Sequence, residues 1–197
     1  GSFDGIGLGF EEAPKTWHLI EMKTHSEKSF KSLVKKGVMG SKFQHYCQMQ
    51  IYMHLGGLTR AMYLAVNKNN SELYSERFEL DVAFASKLVV KAQNIIDAPE
   101  PPTKPYTEDF YLCRWCDFKE QCHQKKLPER NCRTCLYSTP VEDKAWSCGK
   151  HETNIPMDEQ RKHHECHRYI PALVPHEQTD IDGDDIIYKD WKDNGKD

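Results

Sequence analysis

Polar and apolar residues alternate over residues 17–23, with Leu19, Glu21 and Lys23 on one side and His18, Ile20 and Met22 on the other. That is the period of a β-strand, and it turns Met22 towards the core. Residues 3–10 are glycine-rich with apolar Phe3, Ile6, Leu8 and Phe10, and read as a strand joined to the next by the polar segment 11–15 as a hairpin. Over residues 26–36 the period becomes helical, with Phe30, Leu33 and Val34 in step and Gly37 as a stop. Ser41 is placed to cap a second helix that runs to about Leu55 and ends at Gly56-Gly57, with Met49, Ile51, Met53 and Leu55 as its apolar sides. Residues 59–66 and 73–80 read as strands around a turn at 67–70. Residues 81–96 read as a helix that buries Val82, Phe84, Ala85, Leu88, Val89 and Ala92. The order is strand, strand, helix, helix, strand, strand, helix, an α/β pattern.

Four prolines within residues 98–105 end this pattern, because such a segment is stiff and extended and cannot enter a helix or a sheet interior. The expected organisation is an α/β unit over 1–98, a proline-rich linker over 99–105, a Cys/His-rich region over 106–176 and an acidic tail over 177–197. In that tail the segment 180–185 resembles a calcium loop only superficially, since the twelve-residue pattern ending in Glu is incomplete. A solvated turn before a short strand at 186–188 is expected there instead.

Composition narrows the class. Of 197 residues 38% are hydrophobic and 29% charged, as in a folded globular protein, and no run approaches the roughly 20 apolar residues of a membrane span. The formal charge of -3 excludes a globally basic nucleic-acid binder, yet residues 15–42 hold seven Lys against two Glu, and residues 177–197 hold eight acids against three Lys. Seven of the eight cysteines fall between Cys113 and Cys166, which in a chain without a secretory signal pattern points to metal ligands in a reducing, cytoplasmic compartment.

Two groups of residues carry candidate chemistry. If the hairpin pairs its strands, Asp4 and Glu21 converge at one end, with the Met22 carbonyl nearby. Hard oxygen ligands of this kind suit Mg²⁺ or Mn²⁺, and the Lys23 ammonium beside them can orient a water or steady charge on a phosphate. On the second helix Gln44, Gln48 and Tyr52 follow at i, i+4 and form a polar stripe.

An Asp-Gly on one strand, Glu-x-Lys on the next and Gln-x-x-x-Tyr on a helix resemble the PD-(D/E)xK nucleases, in particular their RecB-like and lambda-exonuclease-like branch. The resemblance covers about residues 3–97. It implies a restriction-endonuclease-like core, a mixed central sheet flanked by helices, that hydrolyses DNA phosphodiesters in phage or bacterial replication, recombination or repair. By the same resemblance Asp4 and Glu21 hold the divalent metal, Lys23 assists the attacking water, and Gln48 and Tyr52 position DNA. Lys28, Lys31, Lys35, Lys36 and Lys42 flank the site and can neutralise phosphates, although a solvated helix face accounts for the same lysines. Relatives carry helices before the first carboxylate, so an upstream part of the core is expected to be missing, with Gly1-Ser2 as a vector remnant.

In RecB-like nucleases of recombination and CRISPR systems, a trio spaced like Cys113, Cys116 and Cys122 follows the core and, with one upstream cysteine, holds a four-iron cluster. No cysteine precedes Asp4 here, so the fourth ligand of an iron-sulfur or zinc site is either missing from this chain or supplied by Cys47 or His123. Cys132, Cys135 and Cys148 followed by His151 have the spacing of a tetrahedral zinc site, and Cys166 competes with His151 for the fourth position. Between residues 106 and 171 few aliphatic side chains are present to form a core without metal. Two rival readings belong to other classes: a nucleic-acid binder that keeps the scaffold but does not cut, and a zinc-dependent interaction protein that docks a replication or recombination partner.

Overall fold

The computed structural model describes residues 2–174, 179–182 and 185–188. The chain forms two compact units, residues 1–96 and 97–197. The first is mixed α/β. Its strands are β1 (Gly5–Gly7), β2 (His18–His25), β3 (Arg60–Asn67) and β4 (Leu73–Glu79), and its helices are α1 (Glu27–Ser41), α2 (Phe43–Gly56) and α3 (Val82–Asp97). The sheet runs β1-β2-β3-β4, antiparallel, then parallel, then antiparallel. The parallel pair needs a crossover, and α1 and α2 supply it.

Side chains of the two central strands alternate between faces, so Leu19, Ala61, Tyr63 and Ala65 pack beneath Phe30, Leu33, Val38, Tyr46, Met49 and Met53 of the crossover helices. These ten residues are the core. Met22 therefore lies on the opposite face and is 53% exposed, contrary to the inward orientation expected for it. The alternation was read correctly, but the helices cover the face that carries Glu21 and not the one that carries Met22.

Gly37 interrupts α1 without ending it. Its φ of 69° and ψ of 176° kink the chain, and the helix resumes to Ser41, whose hydroxyl donates back to the Gly37 carbonyl instead of capping α2. Glu76 of β4 holds the kink by accepting from the Val38 N–H at 2.8 Å and from the Tyr74 hydroxyl at 2.6 Å. At the far end of α2, Gly57 takes the left-handed conformation that closes many helices. Gln50, fully buried, donates to the Glu79 carbonyl and accepts from the Asp81 N–H, so it ties α2 to the β4–α3 link.

The helix α3 is less covered than its pattern predicts. Only Ala85 is buried, Phe84 packs partly on the core, and Val82 and Ala92 are exposed. Leu55 at the end of α2 is exposed as well. Hydrophobic period identifies a helix but does not say how much of its length finds a partner.

Residues 98–107 carry no helix or strand. The second unit holds a short helix α4 (Lys119–Gln124), a three-stranded antiparallel sheet of β5 (Ser138–Pro140), β6 (Trp146–Cys148) and β7 (Thr153–Ile155), and several single turns of 3-10 helix. Among the described residues its hydrophobic cluster is Leu127, Tyr169 and Val174. The strands β8 (Thr179–Asp182) and β9 (Asp185–Tyr188) pair antiparallel, where a single strand was expected; the rest of the acidic tail lies outside the described residues. Among the described residues no helix is long and apolar enough to cross a membrane.

Candidate active site

Gly5 pairs with Ile20 in the antiparallel β1–β2 ladder, which sets the preceding residue, Asp4, beside Glu21. The Asp4 carboxylate accepts from the Met22 N–H at 2.7 Å, and the Lys23 ammonium lies 3.9 Å from the same oxygen. Lys23 also forms an ion pair with Glu21 Oε1. Two carboxylates and one ammonium thus meet at one end of the hairpin, as the spacing predicts.

Glu21 is wholly buried. Its Oε1 also accepts from Gln48 Nε2 at 3.2 Å, but its Oε2 is buried without a hydrogen-bond partner. A buried carboxylate oxygen left unpaired costs free energy on the order of 1–3 kcal/mol or more, and folded proteins retain such groups where they serve a purpose. One residue of the Gln-x-x-x-Tyr stripe therefore touches the carboxylate directly. Tyr52, the other, packs partly on the core with its ring edge towards Phe3, centroids 6.2 Å apart. Gln44 is exposed.

Of the basic residues, Lys28, Lys31, Lys35 and Lys36 are exposed on α1, and Lys31 pairs with Glu27 one turn earlier. Lys42 is half-buried and donates to the Ser29 hydroxyl at 2.7 Å.

A polar group that the sequence reading missed lies next to Glu21. Tyr63 is the cross-strand neighbour of Glu21 and fully buried, and its hydroxyl bonds to His25 Nε2 at 3.0 Å and His45 Nδ1 at 2.9 Å. The two imidazoles are nearly parallel, and His25 Nδ1 meets the Ser29 hydroxyl at 3.4 Å. Burial lowers the pKa of both histidines, helped at His25 chiefly by Lys42 and at His45 chiefly by Lys23, so both are neutral at pH 7. Burial, then the charge of Glu21, pushes the Tyr63 hydroxyl far up, so it keeps its proton. The signal was available in outline: His25 has the strand parity of Glu21 and Lys23, and His45 precedes Gln48 by one helical turn.

In the second unit the backbone draws three cysteine segments together. Cys132 opens a 3-10 turn that closes on Cys135, and Asn131 caps that turn with a capping box. Cys135 bridges to Tyr169, just beyond Cys166, and Ser138 pairs with Cys148 across β5–β6. The Cys132 thiol is pushed up by burial and then by Cys135, Cys148 and Cys166. His151, the other expected ligand, is exposed and is not among the groups that act on Cys132. Of the first trio, Cys116 and Cys122 are exposed, while Cys113 Sγ lies 3.7 Å from His123 Nε2. Cys47, the alternative fourth ligand, sits on α2 in the first unit. All eight cysteines are free thiols.

Among the described residues no three His, Cys, Asp or Glu side chains are already gathered at metal-ligand geometry. The donors of the two units differ in kind. Glu21 Oε2 and the Asp4 carboxylate are hard oxygens beside an unpaired buried position, and the second unit presents thiols. The class that fold and site define is a mixed α/β protein with a carboxylate-lysine centre at a hairpin end. Comparison of the chain with protein families, with curated proteins and with solved structures finds no match to any of them.

Proposed function

We propose that the first unit is a divalent-metal-dependent deoxyribonuclease of the RecB-like, PD-(D/E)xK kind, exonuclease-like, acting in phage or bacterial DNA replication, recombination or repair. The observation that carries the reading is the convergence of Asp4, Glu21 and Lys23, with Gln48 on one Glu21 oxygen and the other buried and unpaired. A stability-driven arrangement would satisfy that oxygen.

Asp4 and Glu21 would hold Mg²⁺ or Mn²⁺, which supplies Lewis acidity to the scissile phosphate and acidity to a water. The chain's own residues do the rest. Lys23, in reach of both carboxylates, brings positive charge to where negative charge grows on the phosphate during in-line attack. Gln48 holds the Glu21 side chain in place from α2. Tyr52, the lysines of α1 and Lys42 track the DNA backbone, giving binding that weakens with salt.

In the second unit the same reading assigns structural zinc to Cys132, Cys135, Cys148 and Cys166, supported by the backbone pairings of Cys135 with Tyr169 and of Ser138 with Cys148. Cys113, Cys116, Cys122 and His123 are assigned to a second site, for zinc or an iron-sulfur cluster. Iron-sulfur clusters absorb visible light and zinc does not, so the spectrum of the purified protein with metal analysis decides between them.

Incubation with linear, circular and single-stranded DNA in Mg²⁺ or Mn²⁺, beside Glu21→Ala, tests the reading. Degradation of linear DNA by the wild type alone is expected. Equal cleavage by the variant contradicts the site, and DNA binding without cleavage by either protein favours a non-cutting binder.

A further inference from the structure

Lys42, Ser29, His25, Tyr63 and His45 form one unbroken series of hydrogen bonds that ends beside the carboxylate centre. Its direction follows from counting donors. Lys42 has only N–H to give, so Ser29 Oγ accepts, and the Ser29 proton is free for His25 Nδ1. A neutral His25 that accepts at Nδ1 carries its proton on Nε2 and donates it to the Tyr63 oxygen. Tyr63 then donates to His45 Nδ1. The opposite direction leaves the Ser29 proton outside the series and points the bond dipoles against the Lys42 charge, so the forward arrangement is favoured.

A neutral His45 that accepts at Nδ1 carries its own proton on Nε2. That nitrogen has no hydrogen-bond partner among the described residues and is not among their buried unpaired atoms, so it reaches solvent. It belongs to the same helical turn as Gln48, which touches Glu21, and it lies within the field of Lys23.

We propose that His45 is a further substrate-contacting residue of this site, its tautomer fixed by Tyr63 so that Nε2–H donates to a nucleic-acid phosphate oxygen. The proposal rests on the nuclease reading for the identity of the substrate. A neutral donor suits this position, because the ammonium of Lys23 already supplies the charge and a second cation would be repelled by it. The buried Tyr63 hydroxyl, bonded on both sides and closed to solvent, is explained as the element that sets the donor.

The test uses the full chain. Imidazole ¹⁵N spectra are expected to show the Nε2–H tautomer for His45, a shift of that nitrogen on adding a short DNA duplex in Ca²⁺, and a mixture of tautomers in Tyr63→Phe. His45→Ala is expected to lower kcat/KM on linear DNA by about 10- to 100-fold. His45→Gln, whose amide N–H reaches near the Nε2 position, should recover part of the loss, whereas His45→Asn, which mimics Nδ1, should not. Circular dichroism and Tm identify variants that fail to fold, and Tyr63→Phe and the wild-type spectra still decide the matter then. An Nδ1–H tautomer, or duplex binding that leaves Nε2 unmoved, overturns the proposal. Cleavage by the wild type with equal activity in Ala, Asn and Gln variants also overturns it and leaves the nuclease reading standing. A duplex-dependent shift at Nε2 without cleavage does the reverse.

Discussion

The two units are held together by different means. In residues 1–96 ten buried hydrophobic residues from four elements form one core, whereas among the described residues of 97–197 the hydrophobic cluster has three members, and that unit holds seven of the eight cysteines. A buried Leu or Phe contributes roughly 1.5–3 kcal/mol, so the core of the first unit sets several times more burial against conformational entropy than the cluster of the second does. On the proposed reading, the cohesion of the second comes from its polar turns and from ligands to its thiols. That division matches the proposed roles. A rigid sheet positions a reactive centre, and a thiol-rich region with little core suits a structural ion.

The largest test of this contrast is removal of metal. Exhaustive chelation should unfold the second unit, since structural zinc contributes on the order of 10 kcal/mol to small sites, and leave the first unit's α/β signal intact. Limited proteolysis with mass spectrometry would locate cuts within 106–174 after chelation and few within 18–80. Protease resistance unchanged over 106–174 would show that the second unit has another source of stability.

Core substitutions should have the converse effect. Leu33→Ala removes a fully buried side chain beneath the sheet and is expected to destabilise the first unit by about 2–5 kcal/mol in denaturant unfolding, with zinc content unchanged. Loss of zinc in that variant would mean that the two units do not stand independently.

A smaller effect is expected at the α1 kink. Gly37 has φ 69°, and an added Cβ would meet the Glu76 carboxylate oxygens at 3.4 Å. Gly37→Ala should cost about 1–3 kcal/mol because φ 69° with ψ 176° is a conformation that essentially only glycine adopts, and disturb the Glu76 bonds to Val38 and Tyr74 in addition. Thermal unfolding of the first unit reads this directly.

The smallest effect is the pH response of two histidines in the first unit, separate from that of His167 in the second, whose pKa burial lowers to about 4. His25 and His45 have pKa values below the usual 6.5, so near that pH the unfolded chain binds more protons than the folded one. Their contribution to stability is complete above about pH 6.5 and declines as pH falls from there through their lowered folded values. Chemical denaturation at pH 7.5 and 5.5 should show the loss in wild type and a smaller one in His25→Gln.

The order of elements over residues 3–97 was legible because each change of period coincides with a turn signal, and the meeting of Asp4 with Glu21 followed from hairpin register. Gln48 was found for a similar reason, since one helical face must look at the sheet. What escaped were matters of partnership. Alternation separated Glu21 from Met22 but not inside from outside, because that depends on which face α1 and α2 cover. Gly37 was read as a stop because sequence does not reveal Glu76 waiting to bind the kink. His25, Tyr63 and His45 lie up to 38 positions apart, and no local pattern joins them. For the second unit the spacing named the cysteines, while the bridge that brings Tyr169, three residues beyond Cys166, to Cys135 joins positions far apart in the chain.

Calorimetric titration of Mn²⁺ into the protein reads most directly whether Asp4 and Glu21 form a divalent-metal centre. A binding event in the wild type that disappears in Glu21→Gln at unchanged Tm is expected. An identical isotherm in the two proteins would contradict it.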